Sequence, residues 1–231
     1  MLQKTKFAVA TLAIIFLLGC NATNQSAEDW KSITIGYYVF DFPGDFELIT
    51  EKGIDSYVGK IKNDSMQFAF DFGMYTNSLE KSPEEYLQNG SWREDLSLRF
   101  MEDGVTYNQN TLPKVKVLLI RPATLKDSLL GKGCDYVANC QYAATQFNHP
   151  IYLPNEIKQL NFLIDTVDHH YKKIVWTKAP IKGAASIYLK KLNSDNLNAQ
   201  SLALSMYSGS LTAKQQEMAL KIFKSVRVKN K

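Results

Sequence analysis

The body of this sequence lacks the features by which membrane-spanning and nucleic-acid-binding proteins are recognised. After residue 18 no apolar stretch approaches the roughly 18 to 20 residues that a membrane-spanning helix needs. The charges nearly balance, with 27 Lys and Arg against 23 Asp and Glu, so there is little basic excess to displace counterions from a phosphate backbone. We therefore expect neither a later membrane span nor a nucleic-acid partner.

Known catalytic motifs are missing as well. Residues 131–133, Gly-Lys-Gly, lack the upstream glycine and the following Ser or Thr of a phosphate-binding loop. Residues 208–210, Ser-Gly-Ser, lack the leading glycine of a nucleophile elbow. Residues 71–73, Asp-Phe-Gly, stand without the catalytic loop of a kinase. These sequences predict no catalytic residue and no cofactor.

The clearest feature that is present is an export signal at the N-terminus. Lys4 and Lys6 precede a mainly apolar run of 12 residues, 7–18. As a helix this run would be about 18 Å long, well short of the ~30 Å hydrocarbon core of a bilayer. The arrangement is typical of a secretory signal peptide, and we expect residues 1–19 to be removed.

The end of this run, Leu17-Leu18-Gly19-Cys20, resembles the lipobox of bacterial lipoproteins. The resemblance implies that the Cys20 thiol takes up diacylglycerol before a dedicated peptidase cuts just ahead of it. Two or more acyl chains anchor a protein stably, so a lipid bilayer is an expected partner through acylated Cys20. The alternatives are an ordinary secretion signal or an N-terminal membrane helix with an incidental cysteine. Asn21 follows where the sorting rule of enteric lipoproteins uses aspartate for inner-membrane retention, which favours the outer membrane of the cell envelope.

The rest of the chain divides into a short tether and one domain. Residues 20–29 are polar and carry no large apolar side chain, a composition typical of a linker between lipid and domain. Residues 30–231 have the length and composition of a single globular domain, since the whole chain is 45% hydrophobic and 22% charged.

Strand patterns dominate this domain, with one helical region early and one late. Alternation of apolar and polar residues predicts strands around residues 33–42, and a β-hairpin is predicted over residues 55–72. Ser82 with Glu85, and Thr212 with Gln215, have the spacing of capping boxes that begin helices. Further extended segments are expected at 115–120, 136–147, 162–167, 171–177, 185–189 and 202–207. The order predicts an α+β fold, a largely antiparallel β-sheet flanked by helices.

Several segments resemble a known family of uncharacterised bacterial envelope lipoproteins. They are residues 45–48, Asp-Phe-Glu-Leu, residues 53–59, Gly-Ile-Asp-Ser-Tyr-Val-Gly, residues 71–73, and the final helix that leads into Val226. More distantly, the hairpins and the last helix-strand step are similar to the Mog1/PsbP-like α/β/α sandwich. That second resemblance implies an adaptor or scaffold role, and neither resemblance supplies catalytic residues to carry over.

Three groups of residues are candidates for chemistry or binding. Cys134 and Cys140 could form a disulfide in an exported protein, but only if the chain turns between them, and two free buried thiols are the alternative. Asp55, Ser56 and Tyr57 lie between two glycines and could line a ligand-binding edge, although the glycines could instead serve turns and a bulge. The acids and histidines of residues 165–170 suggest a metal site, yet adjacent histidines on a strand point to opposite faces, so a solvated turn is expected.

The expected function is therefore a non-enzymatic one. A lipid-anchored envelope protein that binds or scaffolds an unknown envelope protein or ligand accounts for the anchor and for the absence of known catalytic motifs. An envelope hydrolase with an unrecognised active site is the alternative.

Overall fold

Strands dominate the chain, as the alternation of apolar and polar residues predicts. The computed structural model describes residues 29–104, 106–178, 182–192 and 202–229, so the predicted signal peptide, Cys20 and residues 21–28 lie outside the described residues. Within these ranges the strands are β1 (Trp30–Ile35), β2 (Tyr38–Pro43), β3 (Glu47–Glu51), β4 (Tyr57–Lys62), β5 (Gln67–Gly73), β6 (Lys116–Pro122), β7 (Tyr136–Tyr142), β8 (Thr145–Ile151), β9 (Leu160–Val167), β10 (His170–Thr177), β11 (Gly183–Lys191), β12 (Ala203–Leu211) and β13 (Arg227–Val228).

Short helices lie between these strands, and the two predicted capping boxes are confirmed. The helices are α1 (Pro83–Asn89), α2 (Trp92–Leu98), α3 (Asn155–Lys158) and α4 (Ala213–Lys224), with a 3-10 helix at Leu125–Leu129. Ser82 caps α1, since its hydroxyl accepts from the Glu85 backbone N–H while the Glu85 carboxylate accepts from the Ser82 N–H. Thr212 and Gln215 make the same pair of contacts at the start of α4. No helix among these described segments is long and apolar enough to cross a membrane.

The strands form three sheets in which every neighbouring pair is antiparallel. The largest has seven strands in the order β3-β4-β5-β12-β11-β10-β9, and two three-stranded sheets have the orders β1-β2-β13 and β6-β7-β8. The α+β class with largely antiparallel sheets is therefore confirmed. The predicted hairpin is β4 and β5, joined by a turn in which the Asn63 side chain accepts from the Ser65 and Met66 backbone N–H groups.

The main core lies between one face of the seven-stranded sheet, the β1-β2-β13 sheet and α4. Apolar side chains alternate along the strands, so Phe68 and Phe70 of β5 lie on the same face of this sheet as Met206 of β12 and Ile187 of β11, and all four belong to the core. Phe68 is fully buried, and its ring lies 5.6 Å from that of Phe223 in α4. We call this part of the molecule the main region.

A second, smaller core lies between α1, α2 and the β6-β7-β8 sheet. Its buried members are Trp92 and Leu96 of α2 with Ala138, Cys140 and Ile151 of the sheet. We call this part the small region. It adjoins the main region through α1, which contacts β10. That the chain forms a single domain over residues 30–231 stays a prediction, and the described residues hold two hydrophobic clusters within that range.

Residues 136–147 differ from the sequence expectation. They were expected to be extended, and the structure divides them between β7 and β8, with a turn at residues 143 and 144. Ala143 has a φ of 51° in this turn, a conformation that alanine seldom adopts. The segment therefore forms a hairpin whose sequence carries no glycine or asparagine at the turn.

Candidate functional site

Two exposed strand edges face each other across a groove in the main region. Residues 31–34 of β1 form one wall, and Phe46 with the first two residues of β3, Glu47 and Leu48, forms the other. The groove has a volume of about 510 Å³, which is within the range of roughly 300 to 1,000 Å³ usual for ligand sites. We call it the edge groove. Each wall belongs to the outermost strand of its sheet, so neither β1 nor β3 has a backbone partner on the groove side among the residues that the structure describes.

The floor of the edge groove is apolar and rigid. Ile33 and Phe46 are buried members of the main core, and the Phe46 ring packs 5.4 Å from that of Phe42. Leu48, which is 38% exposed, stands on the wall above them. Lys31 and Glu47 bring charges of opposite sign to the two walls. An occupant could therefore bury apolar side chains at the centre and pair polar groups with the rim.

The hydrogen-bond pattern of β2 shows which backbone N–H and C=O groups of β1 point away from β2. The Asp41 N–H donates to Ser225, and the Tyr37 carbonyl accepts from the Lys229 N–H, so odd-numbered residues of β2 face β13. Even-numbered residues of β2 must then face β1, because successive residues of a strand alternate. Their partners in β1 are residues 31, 33 and 35. It follows that the N–H and C=O groups of Ser32 and Thr34 point away from the sheet.

Polar contacts on the solvent face hold β1 in place. The Ser32 hydroxyl donates to Oδ1 of Asp41 over 2.9 Å, and Arg227 donates both to Asp41 Oδ2 over 2.9 Å and to the Ser32 hydroxyl over 2.7 Å. These contacts join β1, β2 and β13 across their outer face. The open edge of β1 is thus fixed before any ligand arrives, which lowers the ordering cost of binding.

The predicted ligand edge at Asp55, Ser56 and Tyr57 is dispersed at the opposite end of β3. Asp55 is exposed in the loop, and the Tyr57 ring lies on the core side, 5.2 Å from that of Phe70. Ser56 packs against β5, where a side-chain carbon on Gly73 would lie 2.6 Å from Cβ of Ser56 and 3.6 Å from Oδ1 of Asp71. The structure therefore brings Ser56 against Gly73 of β5 and does not bring the three predicted side chains together.

The two candidate cysteines are free thiols in the structure. Cys140 is buried in β7, where burial raises the pKa of its thiol. Cys134 is partly exposed and precedes this strand. Of the two alternatives left open by the sequence, the structure corresponds to the pair of unbonded thiols.

Residues 165–170 form the tip of the β9-β10 hairpin. Asp168 and His169 occupy its turn with φ values of 46° and 62°. His170 is buried and its Nδ1 lies 2.9 Å from the Asp168 carbonyl oxygen, while Asp165 pairs with Lys172. Within the described part of the chain, no group of three or more His, Cys, Asp or Glu side chains is arranged to hold a metal ion.

A buried ion pair that the sequence did not suggest connects the two regions. Lys173 of β10 is only 3% exposed, and its Nζ donates to Glu85 Oε2 over 2.6 Å. The Tyr171 hydroxyl donates to the other Glu85 oxygen over 2.9 Å. Burial alone would raise the pKa of Glu85, but hydrogen bonds from Lys173, the Ser82 N–H and Tyr171 outweigh it and lower that pKa. Burial and the Glu85 contact raise the pKa of Tyr171.

The groove and this ion pair were missed for different reasons. β3 is short, and all five of its residues are exposed, so it lacks the alternating burial that marks a strand; its only signal was the apolar pair Leu48 and Ile49 between acids. The partners Glu85 and Lys173 are 88 residues apart in sequence. No local sequence pattern could therefore predict their contact.

Comparison of the chain with known proteins finds no matching family model and no matching curated protein.

Proposed function

We propose that this protein is a lipid-anchored component of the bacterial cell envelope that binds an extended segment of another protein along the edge groove. The observation that carries the proposal is the pair of strand edges, β1 and β3, which have no partner strand within the described ranges and lie on either side of an apolar floor. An extended peptide can add to such an edge through main-chain hydrogen bonds, while pockets beside the edge select its side chains. An exposed strand edge without a partner promotes aggregation, so proteins usually cover such an edge or protect it with charged residues, proline or a bulge.

Anchorage is the second part of the proposal. Cys20 would carry the lipid, and residues 21–29 would join it to β1, so the edge groove begins only two residues after this connection. A Cys20→Ser variant should lose incorporation of radiolabelled palmitate and should leave the membrane fraction. Retained palmitate on the purified variant would contradict the assignment. Fractionation of inner from outer membranes tests the outer-membrane location that Asn21 favours.

Leu48 and Ile49 allow a matched test of the groove. Both side chains are 38% exposed on β3, but they point to opposite faces of the strand and only Leu48 lines the groove. Peptides selected from a random library on the wild-type protein should bind Leu48→Lys at least about tenfold more weakly. Their affinity for Ile49→Lys should be unchanged. Fluorescence anisotropy with a labelled peptide measures both.

A backbone variant tests strand addition separately from side-chain recognition. Thr34→Pro removes an N–H that points away from the sheet, a position where an edge strand tolerates proline. We expect its peptide affinity to fall while its melting temperature stays close to that of the wild type. Equal binding by wild type, Leu48→Lys and Thr34→Pro would exclude the groove as the site. Turnover in a screen of envelope substrates would instead support the hydrolase alternative.

A further inference from the structure

The small region displays two almost fully exposed leucines on a rigid turn. Leu125 and Leu129 begin and end the 3-10 helix, and each is 96% exposed; Leu130, which follows, is 41% exposed. We call these three residues the leucine turn. Single exposed apolar residues are common on proteins, but a cluster of this kind on one turn indicates an interaction site.

The turn is held in shape by one carboxylate. Asp127 accepts two hydrogen bonds from the Arg121 guanidinium, over 2.8 and 2.7 Å. It also accepts from the Thr124 N–H and hydroxyl, over 2.7 and 2.8 Å. Hydrogen bonds from Arg121 and Thr124 hold the pKa of Asp127 well below its usual range, so the carboxylate stays charged in neutral and mildly acidic solution. The leucines are therefore presented without an ordering step.

The charges around the leucine turn are positive. Residues 114–133 contain the cations Lys114, Lys116, Arg121, Lys126 and Lys132 and a single acid, Asp127. That acid is engaged by Arg121, whereas Lys126 and Lys132 form no ion pair with any other described residue. This stretch of the chain is thus basic although the whole chain is nearly neutral.

We infer that the leucine turn inserts into the headgroup layer of an anionic lipid bilayer, with Lys126 and Lys132 contacting lipid phosphates. Apolar side chains beside lysines are the combination by which peripheral segments bind anionic membrane surfaces. The inference rests in part on the proposed anchor, because ten residues, 20–29, span at most about 35 Å when extended. A domain held that close to a bilayer meets its surface continually.

The test uses the mature chain from residue 20 with Cys20→Ser, which has no acyl chain and keeps every described residue. Cosedimentation with vesicles of phosphatidylcholine and phosphatidylglycerol in equal parts should show binding. Leu125→Asn combined with Leu129→Asn should weaken the partition coefficient by about tenfold. Lys126→Gln combined with Lys132→Gln should weaken it by about tenfold on these vesicles and have little effect on pure phosphatidylcholine.

Ile54 provides the matched control, since its side chain is at least as exposed as the two leucines but lies in the loop between β3 and β4, beside Asp55. Ile54→Asn should bind vesicles like the parent chain. Absence of binding by the parent chain, or equal binding by all variants, would overturn the inference. Conversion of a dimer to a monomer by the two leucine substitutions, seen by sedimentation velocity, would assign the turn to a second copy instead.

The outcome of the vesicle experiment does not depend on the outcomes of the tests of the proposed function. Palmitate labelling reports on Cys20, and peptide binding by Leu48→Lys reports on the groove. Either can succeed while the vesicle experiment fails, and the vesicle experiment can succeed with both negative.

Discussion

The main and small regions of this protein are stabilised in different ways. Among the described residues, the main region buries 21 apolar side chains in one cluster, and its helix α4 contributes Ala219, Ile222 and Phe223 to it. In the described part of the chain, the small region has five buried core members, and none of the residues of its helix α1 is classed as buried. α1 is held by the packing of the partly buried Tyr86 and Leu87 against the small core, by its capping box and by the contacts of Glu85 with Lys173 and Tyr171. The comparison indicates that a large apolar core stabilises the main region, whereas the small region has a smaller core and is attached through polar contacts of α1.

The largest expected effect comes from the main core. Phe68→Ala removes a ring that contacts Phe42, Phe46 and Phe223, and it should lower the free energy of unfolding by about 3 to 5 kcal/mol. Urea unfolding of the mature Cys20→Ser chain measures this loss.

Leu96→Ala is the counterpart in the small region, where Leu96 is fully buried. We expect a loss of about 2 to 4 kcal/mol there. Hydrogen exchange should show faster exchange in β6, β7 and β8 while the seven-stranded sheet stays protected, because local unfolding follows local packing. If Leu96→Ala opened the seven-stranded sheet equally, the two regions would not be separable in stability.

A smaller effect is expected at the ion pair that joins the regions. Glu85→Gln keeps the shape of the side chain and leaves the Lys173 ammonium in a buried position without its counter-charge, which should cost about 2 to 3 kcal/mol. Glu51→Gln is the control, because it breaks the exposed pair of Glu51 with Lys60 and exposed pairs contribute little to stability.

The pH dependence of this ion pair has a definite sign. The folded protein holds the pKa of Glu85 below its ordinary value of 4.5, so its stabilising contribution is complete above that pH and is lost as the pH falls below it. Glu85→Gln should remove this part of the acid dependence. An equal loss of stability for Glu51→Gln and Glu85→Gln would contradict the role of the pair.

Local sequence signals identified most elements, and non-local contacts account for what was missed. The capping residues Ser82 and Thr212 predicted the starts of α1 and α4, since a cap acts on backbone groups a few residues away. The β7-β8 turn was missed because Ala143 adopts a positive φ that its sequence does not announce. The spacing of Thr124 and Asp127 is a further capping-box signal, and it marks the start of the 3-10 helix.

The candidate site also separates what local sequence signals predict from what depends on contacts between distant segments. Residues 55–57 were singled out from adjacent polar and glycine residues, but Ser56 and Tyr57 belong to different faces and the three do not converge. The edge groove is formed by β1 and β3, strands of two different sheets. Sequence patterns can place each strand, and only the fold shows that their edges face each other.

The smallest expected effect concerns a histidine in the small region. His149 is buried, its ring stacks 6.2 Å from that of Trp92, and its Nδ1 has no hydrogen-bond partner among the described residues. Burial and the charge of Arg99 lower the pKa of His149 below 6.5, and Asp95 opposes them. The unfolded chain then takes up a proton near pH 6.5 that the folded chain resists, so stability falls as the pH drops below that value.

His149→Phe keeps a ring against Trp92 and cannot titrate, so it should remove the part of the stability loss between pH 7 and pH 5 that arises at this site. His169→Asn is the control, because His169 is exposed in the β9-β10 turn, where asparagine tolerates the positive φ. Urea unfolding at the two pH values measures the difference, and hydrogen exchange locates it. If the acid-induced opening were centred on the seven-stranded sheet, or if His149→Phe kept the full pH dependence, the acid sensitivity would not originate in the small region.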